Sequence, residues 1–138
     1  PPATINPPAH PVIEGMGAIV LSEGAGTAFR VWAPHAESVS VIGDFNNWNE
    51  TAHPLERDES GNWFGIVPAA KPGDEYRYAL KKGEDAFTRI DPRALRVTNS
   101  IGNGIIWQKP ARDPNAPAFT PPTLDQLVVY ELHIGTFN

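Results

Sequence analysis

Between residues 14 and 109, apolar side chains recur at every second position, and no stretch keeps helical spacing for three turns. A period of two puts successive side chains on opposite faces of an extended chain, so each such run is a strand with one face to bury. Phe29 and Val31 alternate with Arg30. Val39 and Val41 alternate with Ser38 and Ser40. Tyr76, Tyr78 and Leu80 alternate with Glu75, Arg77 and Lys81. Residues 62–67 and 103–107 are shorter strands, apolar on both faces. Turn-forming clusters separate these runs: Glu23-Gly24-Ala25-Gly26, Ser60-Gly61-Asn62, Lys71-Pro72-Gly73-Asp74, Lys82-Gly83-Glu84-Asp85 and Ile90-Asp91-Pro92. Short strands with turns every 8–12 residues predict an all-β fold. The expected form is an immunoglobulin-like β-sandwich of two antiparallel sheets, with about seven or eight strands.

Proline sets the boundaries. Of 15 prolines, five crowd residues 1–11 and five crowd residues 110–122. Dense proline fixes φ, removes N–H donors and favours extended segments. Residues 1–13 are therefore expected to form a tail, 14–109 the sandwich, and 110–126 a linker. Residues 127–134 (LVVYELHI) then read as an apolar strand with no hairpin partner behind it. Such a strand looks like the opening of a further domain, cut short.

Charge and residue usage narrow the function classes. Eleven Lys and Arg against 16 Asp and Glu leave a net charge of -5. Nucleic acids and anionic membranes are bound largely through Lys and Arg, so both are disfavoured as partners. A neutral partner such as a sugar polymer, or another protein face, fits better. No apolar run reaches the roughly 18 residues a membrane span requires, and no secretory signal is visible. Cysteine is absent, which removes disulfides, thiol catalysis and thiolate zinc sites and is compatible with a cytoplasmic location.

Catalytic chemistry finds no foothold. His10, His35, His53 and His133 share no metal-ligand spacing, so neither a metal nor a cofactor is expected. Glycoside cleavage needs two carboxylates facing one bond, but Glu56, Asp58 and Glu59, and likewise Glu84 and Asp85, lie in turns as solvated charge. No nucleophile elbow, phosphate loop or dinucleotide fingerprint is present.

The informative stretch is 43–48, Gly-Asp-Phe-Asn-Asn-Trp, directly after the strand that ends at Ile42. Gly43 permits a bend. Asn46 and Asn47 suit left-handed turns and offer amides. Trp48 offers a flat apolar face with one N–H donor, which suits the C–H face of a glucose ring. The alternative is that Phe45 and Trp48 plug the open end of the sandwich.

Together with Val31-Trp32-Ala33-Pro34, Gly61-Asn62-Trp63, Tyr76-Arg77-Tyr78, Asp91-Pro92 and the strand at 102–106, this stretch resembles carbohydrate-binding module family 48 over about 17–107. That module precedes the catalytic barrel of many glycoside hydrolase family 13 enzymes. Residues 129–137 (VYELHIGTF) resemble the first strand of that barrel, so 127–138 are assigned to it. The resemblance implies the N-terminal module of a 1,4-alpha-glucan branching enzyme, which transfers α-1,4 chains to form α-1,6 branches. A trehalose-releasing hydrolase or a debranching enzyme is the alternative parent, and a purely structural scaffold is the alternative role. The implied partners are α-1,4-glucan and the chain's own downstream barrel. The implied sugar contacts are Trp48 with Asn46 and Asn47, Arg77 after the strand's first Tyr, and an aromatic before the Asp-Pro turn. Phe87 is the nearest aromatic there, with Thr88 its neighbour in an alternative alignment. In the last contact loop Asn103 stands where a Thr is usual and Ile105 where an Asn is. A (β/α)₈ barrel needs roughly 250 residues, so no catalytic residue is assigned within this chain.

Overall fold

The structure is a computed structural model describing residues 13–131. Eight strands form two antiparallel sheets, and among the described residues there is no α-helix. The first sheet has the order β1 (Gly17–Val20), β2 (Thr27–Trp32), β5 (Asn62–Val67), β4 (Glu56–Arg57). In the second, β6 (Glu75–Lys82) is central. It pairs with β3 (Ser38–Gly43) on one edge. On the other it pairs with β7 (Asp85–Arg89) and, further along, with β8 (Gly104–Ile105). The expected sandwich is therefore present, with β1, β4 and β7 added to the strands that alternation picks out.

Alternation decides what is buried. Phe29 and Val31 from β2 and Trp63 and Val67 from β5 meet Val39, Val41, Tyr76 and Tyr78 across the interior. Phe29 and Tyr76 pack with ring centroids 5.2 Å apart, and Tyr76 meets Tyr78 edge-on at 6.1 Å. The Trp63 indole N–H donates to the Ala33 carbonyl at 2.9 Å. The carboxylate turn at 58–62 is structural: Asp58 accepts from the Ser60 and Asn62 backbone N–H groups and from the Asn62 side chain. The last of these bonds foremost holds its carboxyl below the usual range.

One carboxylate is buried. Asp91 is 3% exposed and accepts from the Tyr76 hydroxyl at 2.6 Å and from the Arg93 backbone N–H at 2.8 Å. Burial raises the Asp91 pKa, outweighing the hydrogen bonds that lower it; burial and the adjacent carboxylate raise the Tyr76 and Tyr78 pKa values. A carboxyl whose folded pKa lies above its unfolded one binds protons more tightly when folded. Its contribution to stability is therefore greatest at low pH and falls as pH rises through the folded pKa. Urea midpoints of the wild type and Asp91→Asn, compared from pH 3 to 7, should show the wild type losing ground to the variant as pH rises.

Residues 110–131 are exposed and carry a single 3₁₀ turn, Leu124–Gln126, with no strand. Residues 127–131 of the expected barrel strand are unpaired, and 132–138 lie outside the described residues, as do 1–12 of the tail.

Candidate functional site

The site grows from the end of β3. Gly43 is fully extended (φ 176, ψ -169), a conformation open to any residue, so the expected bend is not there. Asp44–Asn46 form one 3₁₀ turn, and the bend is made by Asn47 and Trp48 at φ 51 and 61. A left-handed Trp is uncommon and persists only where neighbours fix it. Here the Trp48 N–H donates to the Gly43 carbonyl at 3.0 Å, and its indole N–H donates to Asp44 Oδ1 at 3.3 Å.

Asp44 carries the turn to the next strand. Its Oδ2 accepts from the Glu75 backbone N–H at 2.8 Å. Glu75 Oε2 in turn accepts from Asn103 Nδ2 at 2.7 Å. Glu75 and Arg77 are two positions apart on β6 and so share its outer face, roughly 7 Å from each other. Arg77 Nη1 donates to the carbonyls of Ile101 and Gly102, at 3.3 and 2.8 Å. Its Nε is buried without a hydrogen-bond partner among the described residues. Ile42, directly across from Arg77, is buried on this same outer face. The loop at 98–103 is closed by Asn103 N–H to Thr98 Oγ1 and by Thr98 N–H to the Asn103 carbonyl. It leaves the Ile101 side chain 84% exposed.

Three of the expected contact residues thus converge on one face: Trp48 and Asn103 are tied together by Asp44 and Glu75, and Arg77 reaches the same loop through the Ile101 and Gly102 carbonyls. Alternation puts Glu75 on the outward face of its strand but gives it no part in a site. Asp44 lies within the 43–48 stretch, but only its spatial position beside β6 reveals the bridge. Asn47 is exposed at the rim. Asn46 is close by but fully engaged. Its Oδ1 accepts from the Gly43 N–H at 3.0 Å, while its Nδ2 donates to the Val41 carbonyl at 3.0 Å and meets His53 Nδ1 at 2.9 Å.

Phe87 does not join them. It pairs with Leu80, a residue packed on the core, whereas Thr88 pairs with outward-facing Ala79. The pleat therefore turns Phe87 away from Arg77, and Thr88 takes the outer position. Phe87 instead lies under the Arg89 guanidinium, 4.5 Å from its ring centre. It borders a string of shallow apolar hollows, one of about 270 Å³ beside Trp32, Leu80 and Pro92. Trp32, 63% exposed, stands at that open side of the sandwich. Among the described residues no cluster of His, Asp or Glu could hold a metal ion, and no helix is long and apolar enough to cross a membrane.

Residues 15–94 match the family described as carbohydrate-binding module 48, isoamylase N-terminal domain. The 1,4-alpha-glucan branching enzyme GlgB of Salinibacter ruber is 51% identical over 72 residues, covering 52% of this chain and 12% of that protein. The enzyme of the same name from Deinococcus radiodurans is 36% identical over 120 residues, 81% of this chain and 17% of that one. The chain therefore spans less than a fifth of either relative. Among solved structures, the pullulanase of Paenibacillus barengoltzii in complex with maltohexaose and alpha-cyclodextrin is 29% identical, with a TM-score of 0.58. It covers 70% of this chain and 15% of its own.

Proposed function

The chain belongs to the carbohydrate-binding module 48 family, and on that footing we propose that its Trp48 face holds α-1,4-glucan for a 1,4-alpha-glucan branching enzyme. The observation that carries this reading is the convergence of Trp48 and Asn103, through the Asp44–Glu75 bridge, with Arg77 on one face. A glucose ring lies with its C–H face on the indole. Around it stand hydroxyl partners that remain available: Arg77 Nη2, the Asn47 amide and Asn103 Oδ1. Asn46 holds the turn in place and does not touch sugar. The ligand is uncharged, so its affinity should change little with salt. One face of this kind binds weakly. Its use is to keep glucan near a tethered active site, which raises the effective concentration there.

The parent's chemistry, cleavage of an α-1,4 bond with retention and transfer to a glucose 6-hydroxyl, belongs to a barrel this chain does not contain. Residues 1–13, 14–109, 110–126 and 127–138 are assigned as tail, module, linker and first barrel strand of that cytoplasmic enzyme. A second role, support of the barrel, is favoured by the apolar hollows around Trp32 and Phe87. The test is an amide-resolved NMR titration with maltoheptaose. Shifts are expected at Asn47–Trp48, Arg77 and 98–103, with Phe87 unmoved. Shifts confined to Trp32 and Phe87 would transfer the site to the other face. No shift at millimolar sugar would leave only the supporting role.

A further inference from the structure

We propose that His53 is a positioning residue for the glucan platform: its unprotonated Nδ1 holds Asn46, and Asn46 holds the turn that presents Trp48. The proposal rests on the glucan reading only for its functional consequence.

The chemistry of the Asn46 amide fixes the proton on His53. Two backbone groups of invariant polarity address that amide. The Gly43 N–H can only donate, so the atom it meets at 3.0 Å must be oxygen. The Val41 carbonyl can only accept, so the atom it meets at 3.0 Å must be nitrogen. The orientation of the amide is therefore not free. The second hydrogen of that NH₂ points at His53 Nδ1, 2.9 Å away. Nδ1 must then carry a lone pair, and the ring proton sits on Nε2. A proton on Nδ1 would set one donor against another. The amide cannot flip to relieve this without breaking both backbone bonds.

The strain would pass directly to the platform. Asn46 closes the turn from Gly43, whose carbonyl accepts the Trp48 N–H. His53 itself is anchored, because its backbone carbonyl accepts from the Val41 N–H at 3.0 Å and its ring meets Phe45 edge-on at 5.9 Å. The ring is half-buried and lines a hollow together with residues of β4 and β5. Glu56 is the one charged side chain lining that hollow. Asp44, the turn's own carboxylate, is already engaged by Trp48 and Glu75. Protonation of His53 should therefore loosen the turn and weaken sugar binding, which makes glucan retention sensitive to pH below neutrality.

His53→Asn is the diagnostic variant, since an Asn Oδ1 occupies the place of Nδ1, accepts a hydrogen bond and does not titrate. Imidazole ¹⁵N spectra of the 138-residue chain at pH 7.5 should show an unprotonated Nδ1 on His53. Maltoheptaose titrations should show wild-type affinity falling on the order of tenfold from pH 7.5 to pH 5.0, about what one hydrogen bond is worth. His53→Asn should hold its pH 7.5 affinity at both. An Nδ1-protonated tautomer at pH 7.5, or a His53→Asn variant that keeps the wild-type pH response, overturns the proposal. If maltoheptaose does not bind at pH 7.5, the glucan reading fails by itself. The sugar-free Trp48 indole resonance then decides: a shift between the two pH values in the wild type but not in His53→Asn supports positioning, and equal behaviour overturns it.

Discussion

Trp48→Ala should abolish retention of the chain on glycogen while moving the melting temperature by no more than a few degrees. The indole contributes little to the core. It is half-buried and outside the packed interior, and its side chain makes one hydrogen bond, to Asp44. Alanine meets the same left-handed backbone at φ 61, so the strain of that position is present before and after the change. The expected stability loss is about 1 kcal/mol or less, within the range of substitutions outside the core. For binding, Phe87 is turned to the other side, so that ring does not take over when the indole is removed. Affinity electrophoresis in glycogen gels, run beside thermal melts, separates the two quantities. Lost retention with an intact melt identifies Trp48 as a platform. A melt lowered by ten degrees with retention unchanged would make it a plug for the sandwich end.

The same contrast shows what alternation can and cannot convey. β2, β3, β5 and β6 were legible because each buries one face of at least six residues against the other sheet. β1 (GAIV) is four residues, β4 two, and β7 (DAFTR) is an edge strand of mostly exposed residues. Their alternation is too short or too polar to stand out, and they exist because a neighbouring strand offers its hydrogen bonds. Phe87 falls on the face opposite Arg77 for a related reason. Side-chain direction depends on register, and the two-residue turn after Lys82 pairs Leu80 with Phe87. A slip of one position reverses every side chain. Trp48 and Arg77 stood out because their types and spacing carry the family resemblance. Asp44 and Glu75 did not, because a bridge between residues 31 positions apart leaves no local trace.

Gly43→Ala should be among the most damaging single substitutions in the module, costing about 3 kcal/mol and removing glucan binding with it. Conformation is not the reason, since at φ 176 the backbone is ordinary strand. Space is the reason. A Cβ on Gly43 would run into the Glu75 carbonyl oxygen and come within 2.7 Å of the Phe45 ring. The carbonyl belongs to the β6 backbone and cannot yield without parting β3 from β6 at the Gly43–Tyr76 pair. Phe45 cannot yield freely either, being packed 5.7 Å from Phe29 and 5.9 Å from His53. Overpacking of this kind costs roughly 1–3 kcal/mol, occasionally more, and here it also displaces the donor that orients Asn46. Gly73→Ala provides the opposite case. Its φ is 100, but a Cβ there meets nothing within 4 Å, so only conformational strain of about 1 kcal/mol is expected, with binding kept. Urea midpoints and maltoheptaose titrations of the two variants therefore separate a glycine required by crowding from one required by dihedral angle. A Gly43→Ala chain as stable as Gly73→Ala would mean that the close approach of turn and strand does not hold Trp48 in place.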